Sequence, residues 1–219
     1  MGDILDVINT RKSIRRYKDD PIPDEVLDKV LEAARWAPSG ENEQPWKIIV
    51  VRDPETRRNI GEIAKVGSGQ WVTAQYCLGK LQPRFAGIKD PETRDRVMKF
   101  MYTGEVSQFP AKAPVVLIIA GEIKDMIDTP YDLCACAENI LLEAHSLGLG
   151  GCWVHGPVAS PRAVNKIKGL VGMPTGIGEY KVIAIISLGW PLEERKHPRP
   201  KKPLEDIVYW ERFGNRERA

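Results

Sequence analysis

The segment APSGENEQPWKIIVV (residues 37–51) joins a helix end, a polar loop and a strand, and the predicted fold is built outward from it. Pro38 and Gly40 end a helix predicted over residues 24–36, whose apolar side chains recur along one face. The apolar run over 46–51 predicts a strand. The serine, asparagine and glutamine between them suit hydrogen bonding to a flat polar heterocycle. A helix cap followed by a turn explains the same loop, and is the simpler interpretation when the loop is considered alone.

Other elements follow from hydrophobic periodicity on either side of this segment. Helices are predicted over 3–9, near 54–65, over 91–102 and 131–147, and from Ser160-Pro161 onward; strands are predicted over 115–120, 151–155 and 182–188. Uneven connections between about four strands indicate an α+β fold, a mixed sheet with helices on both faces. Residues 66–110 are expected to form an irregular excursion, either a lid or a surface helical insertion.

Composition limits the function classes that remain. A chain of 219 residues is expected to form one domain over 1–219, and 32 basic against 30 acidic residues leave a net charge of +2. This near balance opposes a nucleic-acid partner, and no apolar run is long enough for a membrane span. Asp3 and Asp6 lie where a signal peptide would be basic and then apolar, so a cytoplasmic location is expected. The four cysteines and three histidines lack metal-ligand spacing, so no metal is expected and the cysteines are interpreted as buried apolar residues.

Three common nucleotide or hydrolase motifs are missing from the sequence. The glycine-rich stretches give neither GxGxxG between a strand and a helix nor GxxxxGK[ST], and GxSxG does not occur. A dinucleotide-binding Rossmann domain, a phosphate-loop ATPase and a hydrolase elbow are therefore not expected.

Two basic clusters and one glycine-rich turn are the remaining candidates for binding. RKSIRR (11–16) holds four cations and a hydroxyl, and RKHPRPKK (195–202) holds five cations. Converging guanidinium groups suit a phosphate monoester, whereas solvated basic stretches or a weak nucleic-acid patch are the alternatives. GLGGCWVHGP (148–157) offers backbone N–H groups, and Trp153 either stacks on a flat ligand or lies in the core.

Taken in order, these stretches resemble the nitroreductase family of FMN-dependent oxidoreductases over nearly the whole chain. RKSIRRY (11–17) is similar to the family's RRSxRxF/Y element, and APSGENEQPWKIIVV to its APSxxNxQPWxFxVV element. AENILLEAHSLGLGGCWV (137–154) resembles AxxNxxLAAxxLGLGxxW, and GWPLEERKHPRPKKPLEDIVYWE (189–211) resembles the closing GxPxxxPxPRKPLxEIVxWE. Residues 66–110 match no family pattern, and we expect acceptor choice to be set there.

The resemblance implies a homodimer with FMN at the subunit interface. It also implies that a C-terminal arm (195–219), which includes the segment 203–213, crosses to the partner subunit. It assigns phosphate and ribityl binding to Arg11, Lys12, Ser13 and Arg15, completed by Arg199 and Lys201. It assigns the pyrimidine edge of the flavin to Arg15 and to Gln108. It places Pro38, Ser39, Gly40 and Asn42 against the flavin of the other subunit, and Trp153, Val154, His155 and Gly156 along the ring. The backbone N–H at His155 would donate to the hydride-accepting nitrogen.

The implied reaction is ping-pong transfer of hydride from NAD(P)H through flavin to a nitroaromatic, a quinone or a similar acceptor. The flavin carries the chemistry, so no catalytic side chain is assigned. A specialised member of the same fold, acting in dehalogenation, flavin fragmentation or dehydrogenation, is the first alternative. A flavin- or nucleic-acid-binding protein without turnover is the second.

Overall fold

A computed structural model describes residues 3–122, 128–176, 180–193 and 201–218 of the chain. The helices are α1 (Ile4–Thr10), α2 (Asp24–Arg35), α3 (Pro54–Cys77), α4 (Gln82–Phe85), α5 (Pro91–Tyr102), α6 (Asp128–Ser146) and α7 (Pro161–Leu170). The strands are β1 (Trp46–Val51), β2 (Val115–Glu122), β3 (Gly150–Trp153) and β4 (Tyr180–Gly189). The predicted α+β class and the four strands are confirmed.

The four strands form one sheet in the order β1-β2-β4-β3, and each neighbouring pair is antiparallel. The expectation of a mixed sheet is therefore wrong for these strands. The pairing of residues shows the direction: Val51, which ends β1, pairs with Val116 near the start of β2, so β2 runs back along β1. Parallel pairing occurs at the sheet edge, where an isolated bridge joins Ser13 to Gly151.

Helices cover both faces of this sheet, as the sequence predicted. Alternate residues of β2 point to opposite faces, because side chains in a strand alternate. Leu117 and Ile119 belong to the apolar cluster formed with α2 and α6, whereas Val116 and Ile118 belong to the cluster formed with α3 and α7. Each of these side chains is fully buried, which stabilises the fold by about 1.5–3 kcal/mol per side chain.

The stretch 66–110 is more regular than expected. The helix predicted near 54–65 continues to Cys77, so the GSG sequence lies inside α3 rather than in a loop. Close approach of neighbouring backbone explains the glycines: a Cβ on Gly69 would lie 2.8 Å from the carbonyl oxygen of Tyr102. The helix predicted over 91–102 is present as α5.

Two of the four cysteines contradict the expectation that all are buried. Cys136 and Cys152 are buried, whereas Cys77 at the end of α3 and Cys134 on α6 are exposed. Among the described residues, no helix combines the length and the apolar character that crossing a lipid bilayer requires.

Candidate functional site

The basic segment 11–17 lies against the edge of the sheet formed by β3 and the end of β4. The amide of Ile14 donates to the carbonyl oxygen of Gly151 at 3.0 Å, and the amide of Lys18 donates to that of Trp190 at 2.9 Å. The side chain of Ile14 fills the space above Gly150, where an added Cβ would lie 2.7 Å from it. Ile14 is therefore directed at the sheet.

The basic side chains of this segment are partly shielded from solvent. Arg11, Lys12 and Arg15 are half-buried. Arg11 forms an ion pair with Glu138 of α6 at 3.3 Å. The pKa of His145 on α6 is lowered by burial and, secondarily, by the charges of Arg11 and Lys12. The segment therefore presents a local positive field suited to an anion.

The segment 153–156, which follows β3, presents backbone donors. The amide of Val154 donates to the carbonyl oxygen of Ile185 at 2.7 Å and so continues the sheet. The next two amides, of His155 and Gly156, donate to no acceptor within the described ranges. The indole N–H of Trp153 is buried and likewise has no partner among the described residues. Two adjacent unpaired N–H groups are a suitable site for an acceptor atom of a ligand.

Helix α3 holds this segment in place. Ser68 is 3% exposed, and its Oγ would lie 1.7 Å from a Cβ on Gly156, so only glycine fits there. A Cβ on Gly67 would lie 3.0 Å from the Cα of Pro157. One turn further along α3, the Trp71 ring meets His155 edge to face, with centroids 6.4 Å apart. The small residues of the GSG sequence thus bring α3 directly onto segment 155–157.

The loop 39–44 is held in an unusual backbone conformation. Glu41, Asn42 and Gln44 have φ values of 49°, 59° and 50°, although none is glycine. Such left-handed residues cost about 1–2 kcal/mol each and occur mainly at functional sites. The amide of Gly40 donates to the Asp132 carboxylate at 3.2 Å, which ties the loop to α6. No hydrogen bond or ion pair between described residues links this loop to segments 11–15 or 153–156.

The remaining predicted residues lie in different surroundings. Gln108 donates its side-chain amide to Glu62 of α3, and the adjacent Phe109 lies under the Arg15 guanidinium at 5.6 Å. Gln108 therefore neighbours a residue that contacts the basic segment, and its role at the pyrimidine edge of the flavin stays a prediction. Lys201 is exposed. Arg199 lies outside the described residues, as do positions 195–198, 200 and 219 of the predicted arm.

Residues 8–190 match the Nitroreductase family. The chain belongs to this family. The "NADH dehydrogenase" of Thermus thermophilus is 31% identical over 209 residues, which are 91% of this chain and 92% of the relative. "Iodotyrosine deiodinase 1" of Sus scrofa is 29% identical over 216 residues, 94% of this chain and 68% of the relative. The solved "FMN-dependent Nitroreductase" of Clostridium difficile superposes with a TM-score of 0.69 at 26% identity, covering 95% of this chain and 99% of that one.

The structure of this nitroreductase-family chain brings together three of the predicted groups. The basic segment bonds to β3, which leads into segment 153–156, and its Arg15 lies over Phe109, next to Gln108; loop 39–44 is bonded to α6. Sequence reasoning missed the residues that hold these groups: Tyr17, Ser68, Asp132 and Ser187. Tyr17 lies within the quoted basic motif, and the glycines at 67 and 69 are a sequence signal of close packing.

Proposed function

We propose that the chain is an FMN-dependent oxidoreductase that takes hydride from NAD(P)H and delivers it to a nitroaromatic, a quinone or a similar acceptor by a ping-pong mechanism. It would act as one domain over 1–219, in a homodimer with FMN at the subunit interface. The observation that carries the proposal is a half-buried cationic segment, 11–15, bonded to the strand that leads into residues 155 and 156, whose backbone N–H groups have no acceptor among the described residues.

The basic segment suits the phosphate end of FMN. Arg11 and Arg15 remain charged at every physiological pH and can bind a phosphate bidentately. The hydroxyl of Ser13 lies between them in the segment, and Lys12 adds a third cation. We assign phosphate and ribityl binding to these residues, joined by Lys201 and Arg199. We assign the pyrimidine edge to Arg15 and Gln108, since Arg15 packs on the neighbouring Phe109.

Segment 153–156 suits the ring of FMN. Trp153, Val154, His155 and Gly156 would lie along it, with the His155 N–H aimed at the hydride-accepting nitrogen. When bound, FMN supplies the two-electron redox chemistry. The chain's own contribution is to hold the ring, direct a backbone donor at it and place a cation near its pyrimidine edge. No side chain is needed as a general acid or base, and we assign none.

The second subunit would complete the site. We assign Pro38, Ser39, Gly40 and Asn42 to the partner's cofactor, as the family resemblance implies, and no hydrogen bond or ion pair between described residues ties loop 39–44 to the basic segment of its own chain. Large apolar side chains are exposed near both ends of the chain: Ile4 of α1 is 74% exposed and Phe213 of the arm is 89% exposed. Contact with a second copy would bury both surfaces. Truncation after Pro203 should therefore abolish both the dimer and flavin retention; a stable monomer that keeps FMN would contradict the interface site.

Acceptor choice is assigned to residues 66–110. Helices α3, α4 and α5 enclose a groove of about 840 Å³ whose lining includes Tyr76, Phe85 and Tyr102. Aromatic walls of this kind favour a flat aromatic acceptor. We propose that this region acts as a lid over the bound cofactor.

The phosphate assignment is tested by a matched pair of variants in the basic segment. Arg11→Ala should weaken FMN binding by more than about tenfold, because it removes a charge-assisted hydrogen bond. Arg16→Ala is the control, since Arg16 is exposed and pairs with Glu193 at 2.7 Å. Flavin fluorescence titration gives both dissociation constants. If Arg11→Ala folds and binds FMN as tightly as Arg16→Ala, the phosphate assignment is wrong.

Reductive dehalogenation is the second candidate, favoured by the similarity to iodotyrosine deiodinase over 94% of this chain. The two candidate functions differ in how the protein is reduced and in the compound that it then reduces. An oxidoreductase of the first kind is reduced by NADH or NADPH. A dehalogenase reduced chemically with dithionite should release iodide from 3-iodo-L-tyrosine, which iodide measurement detects directly.

A further inference from the structure

Tyr17 ends the basic segment with its side chain turned back beneath it. The residue is 7% exposed, and its ring lies against Gly189, where an added Cβ would be 2.8 Å from Cδ1 of the ring. The hydroxyl reaches the carbonyl oxygen of Ile14 at 2.5 Å and Oγ of Ser187, on β4, at 2.7 Å. Burial raises the pKa of Tyr17, although the Ser187 hydrogen bond opposes this, so the hydroxyl keeps its proton at neutral pH.

The two hydroxyl protons have a consistent arrangement. The Ile14 carbonyl can only accept, so the Tyr17 hydroxyl donates to it. The lone pairs of Tyr17 Oη then accept from Ser187 Oγ, which is itself fully buried. Ser187 Oγ has a second possible acceptor, the Cys152 carbonyl oxygen at 3.4 Å, which is the longer contact. This chain of bonds links the middle of the basic segment to the centre of β4.

We propose that the Tyr17 and Ser187 hydroxyls position Ser13 and Arg15 for the FMN phosphate. The proposal rests on the function proposed above. The Ile14 carbonyl, to which Tyr17 donates, belongs to the peptide that connects Ile14 to Arg15. Fixing that peptide therefore fixes the direction in which Arg15 leaves the segment and, through Ile14, that of Ser13. Tyr17 and Ser187 touch no ligand in this scheme and are positioning residues.

Backbone hydrogen bonds alone leave this part of the segment loose. The amide of Ile14 is held by Gly151, and the next donation to the sheet comes from Lys18. Between these two points, the carbonyl of Arg16 accepts from Leu192 at 3.1 Å, while the Ile14 carbonyl is held by Tyr17 alone among the described residues. Removing the Tyr17 hydroxyl would therefore release the peptide before Arg15 without disturbing the anchors on either side.

The substitution Tyr17→Phe distinguishes the positioning role of the hydroxyl from the packing role of the ring. Tyr17→Phe keeps the ring on Gly189 and removes only the hydroxyl. Ser187→Ala removes the bond that supports the Tyr17 hydroxyl and leaves the bond from Tyr17 to the Ile14 carbonyl in place. Tyr180→Phe is the matched control: Tyr180 packs on the same apolar cluster, but its hydroxyl bonds to no described residue.

The experiment compares the affinities of each protein for FMN and for riboflavin, which carries no phosphate. Flavin fluorescence titration of the stripped protein gives both dissociation constants at a temperature well below its Tm. We expect Tyr17→Phe to weaken FMN binding about tenfold, or 1.4 kcal/mol, and riboflavin binding less than about twofold. Ser187→Ala leaves the bond from Tyr17 to Ile14 in place, so it should weaken FMN binding by a smaller factor, about threefold, with riboflavin binding again changed less than about twofold. The double variant should be no worse than Tyr17→Phe alone, because that variant already lacks the Tyr17–Ser187 bond. Tyr180→Phe should change neither constant.

The outcomes separate this inference from the proposed function. If the unaltered protein does not prefer FMN to riboflavin, the phosphate site itself is wrong, and the inference falls with it. If that preference exists but both variants leave the ratio of the two constants unchanged, the hydroxyls have only a structural role and the inference is overturned. If Tyr17→Phe does not fold, Ser187→Ala decides by the same ratio, since it leaves the tyrosine ring in place.

Discussion

Replacing Gly156 by alanine should displace the segment that presents the His155 N–H. The added Cβ would lie 1.7 Å from Oγ, 2.7 Å from Cβ and 2.8 Å from Cα of Ser68. A new rotamer of Ser68 removes only the first overlap, because the Cα belongs to the backbone of α3. Separation to an ordinary contact requires a shift of about 1 Å. Overpacking of this kind costs about 1–3 kcal/mol, which for a chain of this size lowers Tm by about 2–12 °C.

The same shift should slow the reaction far more than it lowers stability. A displacement of about 1 Å at a reacting centre costs about 100-fold in rate. Thermal unfolding and stopped-flow reduction by NADH measure the two effects separately. Gly169→Ala in α7 is the control, since no atom lies within 4 Å of its added Cβ. If Gly156→Ala matches Gly169→Ala in Tm, in FMN content and in reduction rate, the assignment of segment 153–156 to the flavin ring is refuted.

Three further substitutions test other parts of the structure. Asp53 caps α3 by accepting from Thr56, which lowers the pKa of its carboxyl, so the stabilisation is present at neutral pH and lost as pH falls through that lowered pKa. Asp53→Asn should accordingly lower Tm at pH 7, and the difference from the unaltered protein should disappear only as the pH of the scan falls through the lowered pKa of Asp53. Asp132→Ala removes the acceptor for the Gly40 amide, and we expect FMN to dissociate about five- to tenfold faster in a dilution experiment followed by fluorescence. Gly104→Ala should lower the urea midpoint more than any other substitution named here, because φ is +76° and the Cβ would lie 1.8 Å from a backbone oxygen of α3.

Much of the fold could be predicted because local patterns determine it. The apolar runs over 46–51 and from Val115 predict strands from local sequence, and the helix stop at Pro38 and Gly40 does not depend on tertiary structure. The direction of pairing could not be predicted, since it depends on how far α3 and α5 carry the chain before β2 begins. The helix that begins at residue 54 could not be followed past residue 65, because the glycines at 67 and 69 each cost a helix about 1 kcal/mol, a cost that close packing of α3 offsets here.

The site residues likewise fall into two groups, those that the sequence identifies and those that it does not. Motif residues such as Arg11 and Asn42 can be identified from the sequence because the resemblance is carried by those positions, and their roles stay predictions. The residues that hold the motifs leave no local signal. Ser187 lies among apolar residues of β4, and Asp132 lies on α6, 92 residues from Gly40, whose amide donates to it. Only the folded chain brings them to their partners.

The most direct measurement is the visible absorption spectrum of the purified protein, taken under anaerobic conditions before and after addition of NADH or NADPH. The proposed function predicts flavin bands that bleach on addition of the nicotinamide and return when a quinone or a nitroaromatic is added. Flavin bands that dithionite bleaches but neither nicotinamide affects would contradict the proposed hydride donor and favour dehalogenation. No flavin bands, even after FMN is supplied, would contradict the cofactor site itself.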